Sequence, residues 1–125
     1  LSMYTSGHNT ITNNTLNSNW HGLTIEMSEY NDILNNTMNN NRGYGVFLID
    51  SNYNTVSDNI LRLNREGCVA DEGGTGNIFI NNICEEWTED GNGDGVTFIP
   101  GYNLALIIGV ISIISAILLR KRYKH

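Results

Sequence analysis

Positive charge is nearly missing from the first hundred residues of this 125-residue chain, where Arg42, Arg62 and Arg65 stand against thirteen acids for a net of −10. Binding to a phosphate backbone needs a basic surface, so this body excludes nucleic acid as a partner. Cysteine is scarce too: Cys68 and Cys84 are too few for a disulfide scaffold. They could form one bond, but their spacing matches no redox or metal motif, and the preferred reading is two half-buried free thiols. Before residue 100 no segment carries a 3.6-residue apolar stripe, so amphipathic helices are not expected there. An N-terminal leader is absent and the chain opens at Leu1 without an initiator methionine, from which the expectation is that further sequence precedes it.

Asparagine is abundant, and it is periodic. Asn9, Asn31, Asn54 and Asn77 recur at a near-constant interval, and five places after each comes Asn14, Asn36, Asn59 or Asn82. Two after each start is an apolar residue (Ile11, Ile33, Val56, Phe79), and seven after is another (Leu16, Met38, Leu61, Cys84). Ten after come Asn19, Asn41 and Asn64, and the pattern then breaks at Trp87. Gly22, Gly45 and Gly67 each precede an alternating pair, Leu23 and Ile25, Val46 and Leu48, Cys68 and Ala70. Apolar residues alternating two or three at a time between Asn and Gly mark short strands joined by tight turns. One such unit cannot bury its apolar side alone, but copies stacked at the ~4.8 Å strand spacing can. The prediction is an all-β parallel solenoid whose like residues form columns. At its turns asparagine tolerates the left-handed backbone region, and in a stack each side-chain amide donates to the carbonyl of its neighbour. Asn9, Asn31, Asn54, Asn77 and Asn14, Asn36, Asn59, Asn82 are the two predicted ladders. The residue before the second ladder reads Asn13, Asn35, Asp58, Asn81, and the aspartate there predicts an outward-facing position.

The unit N-x-[IVF]-x-[ND]-N-x-[LMC] followed by G-x-x-[LIA] resembles the right-handed parallel β-helix repeats of the NosD-like and carbohydrate-binding/sugar-hydrolase (CASH) group. The resemblance covers positions 1–87, in coils of about 22–23 residues each. It implies a fold shared by polysaccharide lyases, hydrolases, epimerases, surface proteins and a copper-delivery factor, so function must be read from a site. The solenoid is expected to begin in mid-coil, with Leu1 aligned to Leu23 and Met3 to Ile25, as the C-terminal coils of a longer protein. Trp87 is expected to fold over the last coil as a lid, and residues 88–99 to form an acidic, Gly-rich linker.

Residues 100–125 carry a different signal. From Tyr102 to Leu119 the chain has no charge at all. A run of roughly 18 residues is enough for a helix to cross a bilayer, and the span is placed between Leu104 and Leu119. Arg120, Lys121, Arg122 and Lys124 follow as a stop-transfer cluster, which predicts a single transmembrane α-helix with a cytoplasmic tail and the N-terminal part outside the cell. Pro100-Gly101-Tyr102 ahead of that helix resembles the tripartite sorting signals of archaeal surface proteins processed by archaeosortases, whose best-known form has Phe third. The resemblance implies an archaeal cell surface and a sorting enzyme as a partner.

No catalytic residue and no metal or cofactor site is assigned. Asp90, Asn92, Asp94 and Gly95 match the first half of a calcium loop, but its twelfth position is Gly101, and a solvated linker is the preferred reading. His8, His21 and His125 do not group with Cys or Met at ligand spacing, and Met3 and Met38 fall in apolar columns. Asp50, Asp58, Asp71 and Glu72 are the available carboxylates and are read as solvated surface. Tyr30, Tyr53, Tyr44, Trp20 and Trp87 could stack on sugar rings, with Tyr30 and Tyr53 in one column that also holds His8. Asn13-Asn14-Thr15 and Asn35-Asn36-Thr37 are glycosylation sequons with Asn13 and Asn35 as acceptors. The leading expectation is a membrane-anchored surface β-helix with a binding or envelope-structural role, its partners the membrane and a polysaccharide or glycan. The alternative is the end of a carbohydrate-active enzyme whose site lies upstream, with copper handling behind it.

Overall fold

The structure, a computed structural model, describes residues 1–88 and the backbone of Val96–Ile99. The calcium-like loop, the Pro100-Gly101-Tyr102 motif, the Leu104–Leu119 span, the basic cluster and His125 lie outside the described residues. Among the described residues there is no helix, and so none long and apolar enough to cross a membrane.

Ten of the eleven short strands among the described residues wind into a parallel β-solenoid of four coils with three faces. The first face stacks β1 (Ser2–Tyr4), β3 (Leu23–Glu26), β5 (Tyr44–Ile49) and β8 (Gly67–Glu72) in that order. The second stacks β2 (Thr10–Thr12), β4 (Asp32–Leu34), β6 (Thr55–Ser57) and β9 (Ile78–Ile80). The third holds β7 (Ile60–Asn64) and β10 (Asn82–Glu86), continued downward by the single bridges Thr15–Thr37 and Thr37–Ile60. Registers align Ile11, Ile33, Val56 and Phe79 on the second face and Met3, Ile25 and Leu48 on the first. On the third face Leu61 pairs with Cys84 above the buried Met38. Leu23, Ile25, Ile33, Met38, Val46, Leu48, Val56 and Leu61 are all fully buried. Alternation puts every second residue inside, and each Leu or Ile withdrawn from water contributes about 2 kcal/mol.

Both predicted asparagine ladders form. The Asn31 side-chain amide donates to Asn54 Oδ1 at 3.0 Å, and its backbone N–H donates to the same oxygen at 2.9 Å. Asn59 Oδ1 accepts from the backbone and the side chain of Asn36 at 2.9 and 3.1 Å. In turn the Asn59 amide donates to Asn82 Oδ1 and to the Ile33 carbonyl, both at 2.9 Å. Asn19, Asn41 and Asn64 make a third ladder that the pattern left unassigned because its fourth place is not Asn. Ser6, Ser28 and Ser51 repeat the idea with hydroxyls: Ser28 Oγ accepts from the Ser6 N–H, and Ser51 Oγ from the Ser28 N–H.

The left-handed residue is not the ladder asparagine itself. All thirteen non-glycine residues with left-handed φ among the described residues immediately precede a ladder Asn or Ser. Thus Tyr30 (φ 55°) precedes Asn31, Met27 (φ 47°) precedes Ser28, and Leu63 (φ 53°) precedes Asn64. The preceding residue takes the tight bend and throws its own side chain outward, while the amide turns inward into the ladder.

Cys68 and Cys84 form a disulfide, with Cα atoms 5.8 Å apart, so the free-thiol reading is corrected. Aligning Gly67 with Gly45 puts Cys68 in the column of Val46; the structure instead pairs Tyr44 with Gly67 and Val46 with Val69. Cys68 therefore takes the place of Gly22 and Gly45. A Cβ at Gly22 would lie 2.8 Å from Met38 Cβ, and one at Gly45 3.0 Å from Leu61 Cδ2, so this corner points at the third-face column. In the lower coils the corner is closed by a carbonyl of the coil above (Cys68 O would lie 2.7 Å from a Cβ at Gly45), and only glycine fits. In the fourth coil the column residue is Cys84, and the two sulfurs bond.

The fourth coil is finished by two further devices. Asn77, at the top of the first ladder, donates to Asp71 Oδ2 at 2.9 Å, so Asp71 is a cap for the amide stack. On the third face, β11 (Val96–Ile99) pairs antiparallel with β10, in register Asn82–Ile99 to Glu85–Val96. Residues 96–99, expected within a linker, are thus a strand that covers the upper edge of that face. Trp87 does not close the coil. It stays 37% exposed, with the Arg65 guanidinium 5.2 Å from its ring, outside the buried cluster.

The ladder and the disulfide each make a measurable claim on stability. Asn59→Asp places a carboxylate oxygen where an amide donates to Ile33 O and Asn82 Oδ1, whereas Asp58→Asn changes an exposed side chain. Asn59→Asp should be the less stable of the two by about 1–3 kcal/mol in urea unfolding, and equal midpoints would reject the ladder assignment. Cys84→Ser opens a loop with a sequence separation of 16 and should lower stability by about 3 kcal/mol. A thiol assay on denatured, unreduced protein should find no free thiol, and two titrating thiols would reject the bond.

Candidate functional site

Outward side chains at equivalent corners must stack as the coils do, and on this surface they form two aromatic columns. The first is His8, Tyr30 and Tyr53, each at a left-handed corner. His8 and Tyr30 are 5.3 Å apart with planes within 4°, and Tyr30 and Tyr53 are 5.2 Å apart within 9°. The fourth place is Gly76, where a Cβ would come within 2.6 Å of the Tyr53 ring, so that ring leans into the space the glycine leaves. Tyr30 and Tyr53 are about half exposed, but their faces lie against each other and their neighbours. The column offers ring edges and hydroxyls to a ligand. Beside its lower end is an open groove of about 310 Å³ lined by Thr5, Ser6, Gly7, His8, Met27, Glu29 and Tyr30. Glu29 Oε1 accepts from the Asn52 amide at 3.2 Å.

The second column stands where the third face turns into the first. His21 and Tyr44 stack 5.8 Å apart within 8°, and Phe47 tilts against both at 5.0 and 5.4 Å. The Tyr44 backbone N–H donates to His21 Nδ1 at 2.9 Å, leaving Nε2 to carry the proton of the neutral ring. Trp20 meets His21 edge-on and is 63% exposed. Gly43 is required here because a Cβ would run into the His21 imidazole; Glu66 Oε2 lies 3.1 Å from the same point. Sequence spacing identified the His8, Tyr30, Tyr53 column but not this one. One repeat length on from His21 is Tyr44, the step that matching Gly22 to Gly45 already contains.

Charge is sorted around the axis. Glu26, Glu29, Asp32, Asp50, Asp58, Asp71 and Glu72 lie on the first and second faces and the corners that leave them, without a Lys or Arg. The arginines Arg42, Arg62 and Arg65 lie on the third face and its corner, where Arg62 pairs with Glu85 at 3.5 Å. Of the candidate carboxylates, Asp50 and Asp58 sit at left-handed corners on different sides of the second face, and Asp71 is held by Asn77. The fold does not bring them into one site. Asn13 and Asn35 are exposed at left-handed corners (φ 57° and 55°), while Asn14 and Asn36 between them and their threonines are ladder residues.

A family model described as NosD, periplasmic copper-binding protein, matches residues 1–99. No curated protein and no solved structure matches the chain. Copper favours imidazole and sulfur donors, and the described side chains do not bring such donors together. Among the described residues no three His, Cys, Asp or Glu side chains come together to hold a metal ion. Both cysteines are in the disulfide, Met38 is buried in the core, and His21 Nδ1 is occupied by Tyr44. His8 and Met27 share the groove, but only Glu29 among its other lining residues is ionisable besides Tyr30. With four coils of the same asparagine-cornered repeat inside the matched region, the chain belongs to the NosD family of β-helix proteins.

Proposed function

We propose that this protein is a glycan-binding or envelope-organising β-helix displayed outside the cytoplasmic membrane and held there by its C-terminal segment. The observation that carries the binding part is the pair of outward aromatic columns on a rigid solenoid, combined with carboxylates that are dispersed rather than grouped for catalysis. Aromatic rings ringed by polar side chains suit sugars, which pair an apolar C–H face with hydroxyl edges. The location is supported by the periplasmic description of the family and by the arrangement of residues 100–125. An uncharged run from Tyr102 to Leu119, closed by Arg120, Lys121, Arg122 and Lys124, would leave the −10 body outside and the tail inside. Pro100-Gly101-Tyr102 would be the point where a sorting enzyme acts. Asn13 and Asn35, reachable at their corners, would carry sugar in such a compartment.

Binding is tested by applying the full chain, in a polyoxyethylene detergent, to an immobilised panel of neutral and amine-bearing oligosaccharides. Retention on at least one class is expected, and retention on none overturns the binding role. Location and processing are tested by intact mass and peptide mapping of material from the native cell surface. The expected result is hexose-bearing Asn13 or Asn35 peptides and no peptide spanning Leu104 to Arg120. Unmodified sequon peptides reject glycosylation, and a recovered Leu104–Arg120 peptide rejects cleavage in favour of a permanent span.

A further inference from the structure

We infer that the corner column Trp20, Arg42, Arg65 and Trp87 is a lipid-contact stripe, which lays the solenoid on its side against an anionic membrane surface. The stripe presupposes the C-terminal anchoring proposed above and fixes how the anchored body sits.

Each of the four residues follows the inward position of the third ladder. Trp20 comes after Asn19, Arg42 after Asn41 and Arg65 after Asn64. Glu86 pairs with Asn64, so Trp87 stands over Arg65, whose guanidinium lies 5.2 Å from the indole. Stacked at the strand spacing, the four make a line about 14 Å long, parallel to the solenoid axis. All four are exposed. Two of the three arginines in the first hundred residues thus stand in consecutive coils, where like charges repel. Among the described residues neither is in an ion pair. Nearby acids are engaged to the side: Glu85 pairs with Arg62, and Glu66 Oε2 lies 3.1 Å from the place of a Gly43 Cβ, beside His21.

The ends and the middle of the stripe suit the same occupant. Indoles settle where hydrocarbon meets headgroups, and arginines bond headgroup phosphates while their stems lie on apolar surface. Charge permits this side alone. Among the described residues, the three arginines of the third face and its corner offset Glu66, Glu85 and Glu86, for a net of 3 − 3 = 0. The first and second faces with their corners carry seven acids and no Lys or Arg, so an anionic surface repels them. The tether leaves from the same side. β11 pairs along the third face, and the uncharged run opens at Tyr102, three positions after Ile99. Three residues reach at most about 11 Å, so the body stays near the bilayer and weak contacts form at high effective concentration.

Trp20 and Trp87 are the two tryptophans of the chain, so their fluorescence reports on the two ends of the stripe. The full chain is placed in phosphatidylcholine–phosphatidylglycerol nanodiscs that carry nitroxide on their headgroups. Quenching is read for Trp20 in Trp87→Phe and for Trp87 in Trp20→Phe. Both should be quenched, although Trp20 lies three coils from the tether. In the Trp87→Phe background, Arg42→Gln with Arg65→Gln should lower the docking constant by about 25-fold, about five-fold for each cation. Thermal melts establish that the variants are folded, and high salt, which screens such contacts, should release Trp20 with both arginines in place. Failure of either tryptophan to be quenched in discs that retain the chain overturns the stripe and leaves the anchor. So does Trp20 quenching that survives both the substitutions and the salt. A Trp20 emission shift on adding polygalacturonate, without headgroup quenching, assigns the column to an anionic polymer and likewise overturns lipid contact. A chain that does not co-elute with the discs overturns the anchoring and the stripe together.

Discussion

The structure depends on one corner, used again and again: a residue in the left-handed region followed by an inward amide or hydroxyl. For a non-glycine residue the left-handed backbone costs roughly 1–2 kcal/mol, and thirteen residues here accept it. The offset comes from the residue after it. Asn59 accepts two hydrogen bonds on one oxygen and donates two from its amide, so a buried polar group is fully satisfied. Among the described residues no buried side-chain nitrogen or oxygen lacks a partner. Because each ladder amide is bonded to the coil on either side, the corner also sets the register, which such short strands could not hold by backbone pairing alone.

That division of labour shapes the surface. The inward member of each corner is confined to Asn or Ser by its bonds, but the outward member needs only to tolerate its backbone, and Thr, His, Tyr, Met, Asp and Leu all do so. Chemistry can therefore vary at outward corners without disturbing the core, and whatever is placed there is displayed in a column. His8, Tyr30 and Tyr53 are such a column. Once three rings stack, however, they cover one another's faces, whereas Gly67 interrupts the column above Tyr44.

Much of this was legible from residue spacing, since a solenoid turns a linear period directly into contacts. The two four-membered ladders, the apolar columns and the His8, Tyr30, Tyr53 stack all follow from counting off one repeat length at a time. What spacing could not resolve was local geometry. Asparagine is common at both members of a corner, as in Asn13-Asn14, so composition does not say which of the two bends the chain. A coil shortened or lengthened by a single position leaves two alignments open, and matching Gly67 to Gly45 chose the wrong one. That slip hid the disulfide, because the bond depends on Cys68 standing one place earlier. The strand at 96–99 was hidden for a different reason. It pairs antiparallel, outside the period, so no repeat announces it.

The end of the described stack follows from the same constraint. A corner amide in a lower coil finds its acceptor in the coil above, and a corner glycine there is closed off by the next coil's carbonyl. The fourth coil has neither neighbour among the described residues, and each interaction is replaced by a different chemistry. Asp71 supplies the oxygen that another asparagine would have given Asn77. The Cys68–Cys84 bond fills the corner that a carbonyl of the next coil closes below. β11 provides the backbone partners that another parallel strand would have brought to β10. A carboxylate, a disulfide and an antiparallel strand have nothing in common except the vacancy each fills, so the fourth coil is a built terminus rather than a repeat that merely stops. The small residues Gly67 and Ala70, which stand over Tyr44 and Phe47, belong to that same terminal coil.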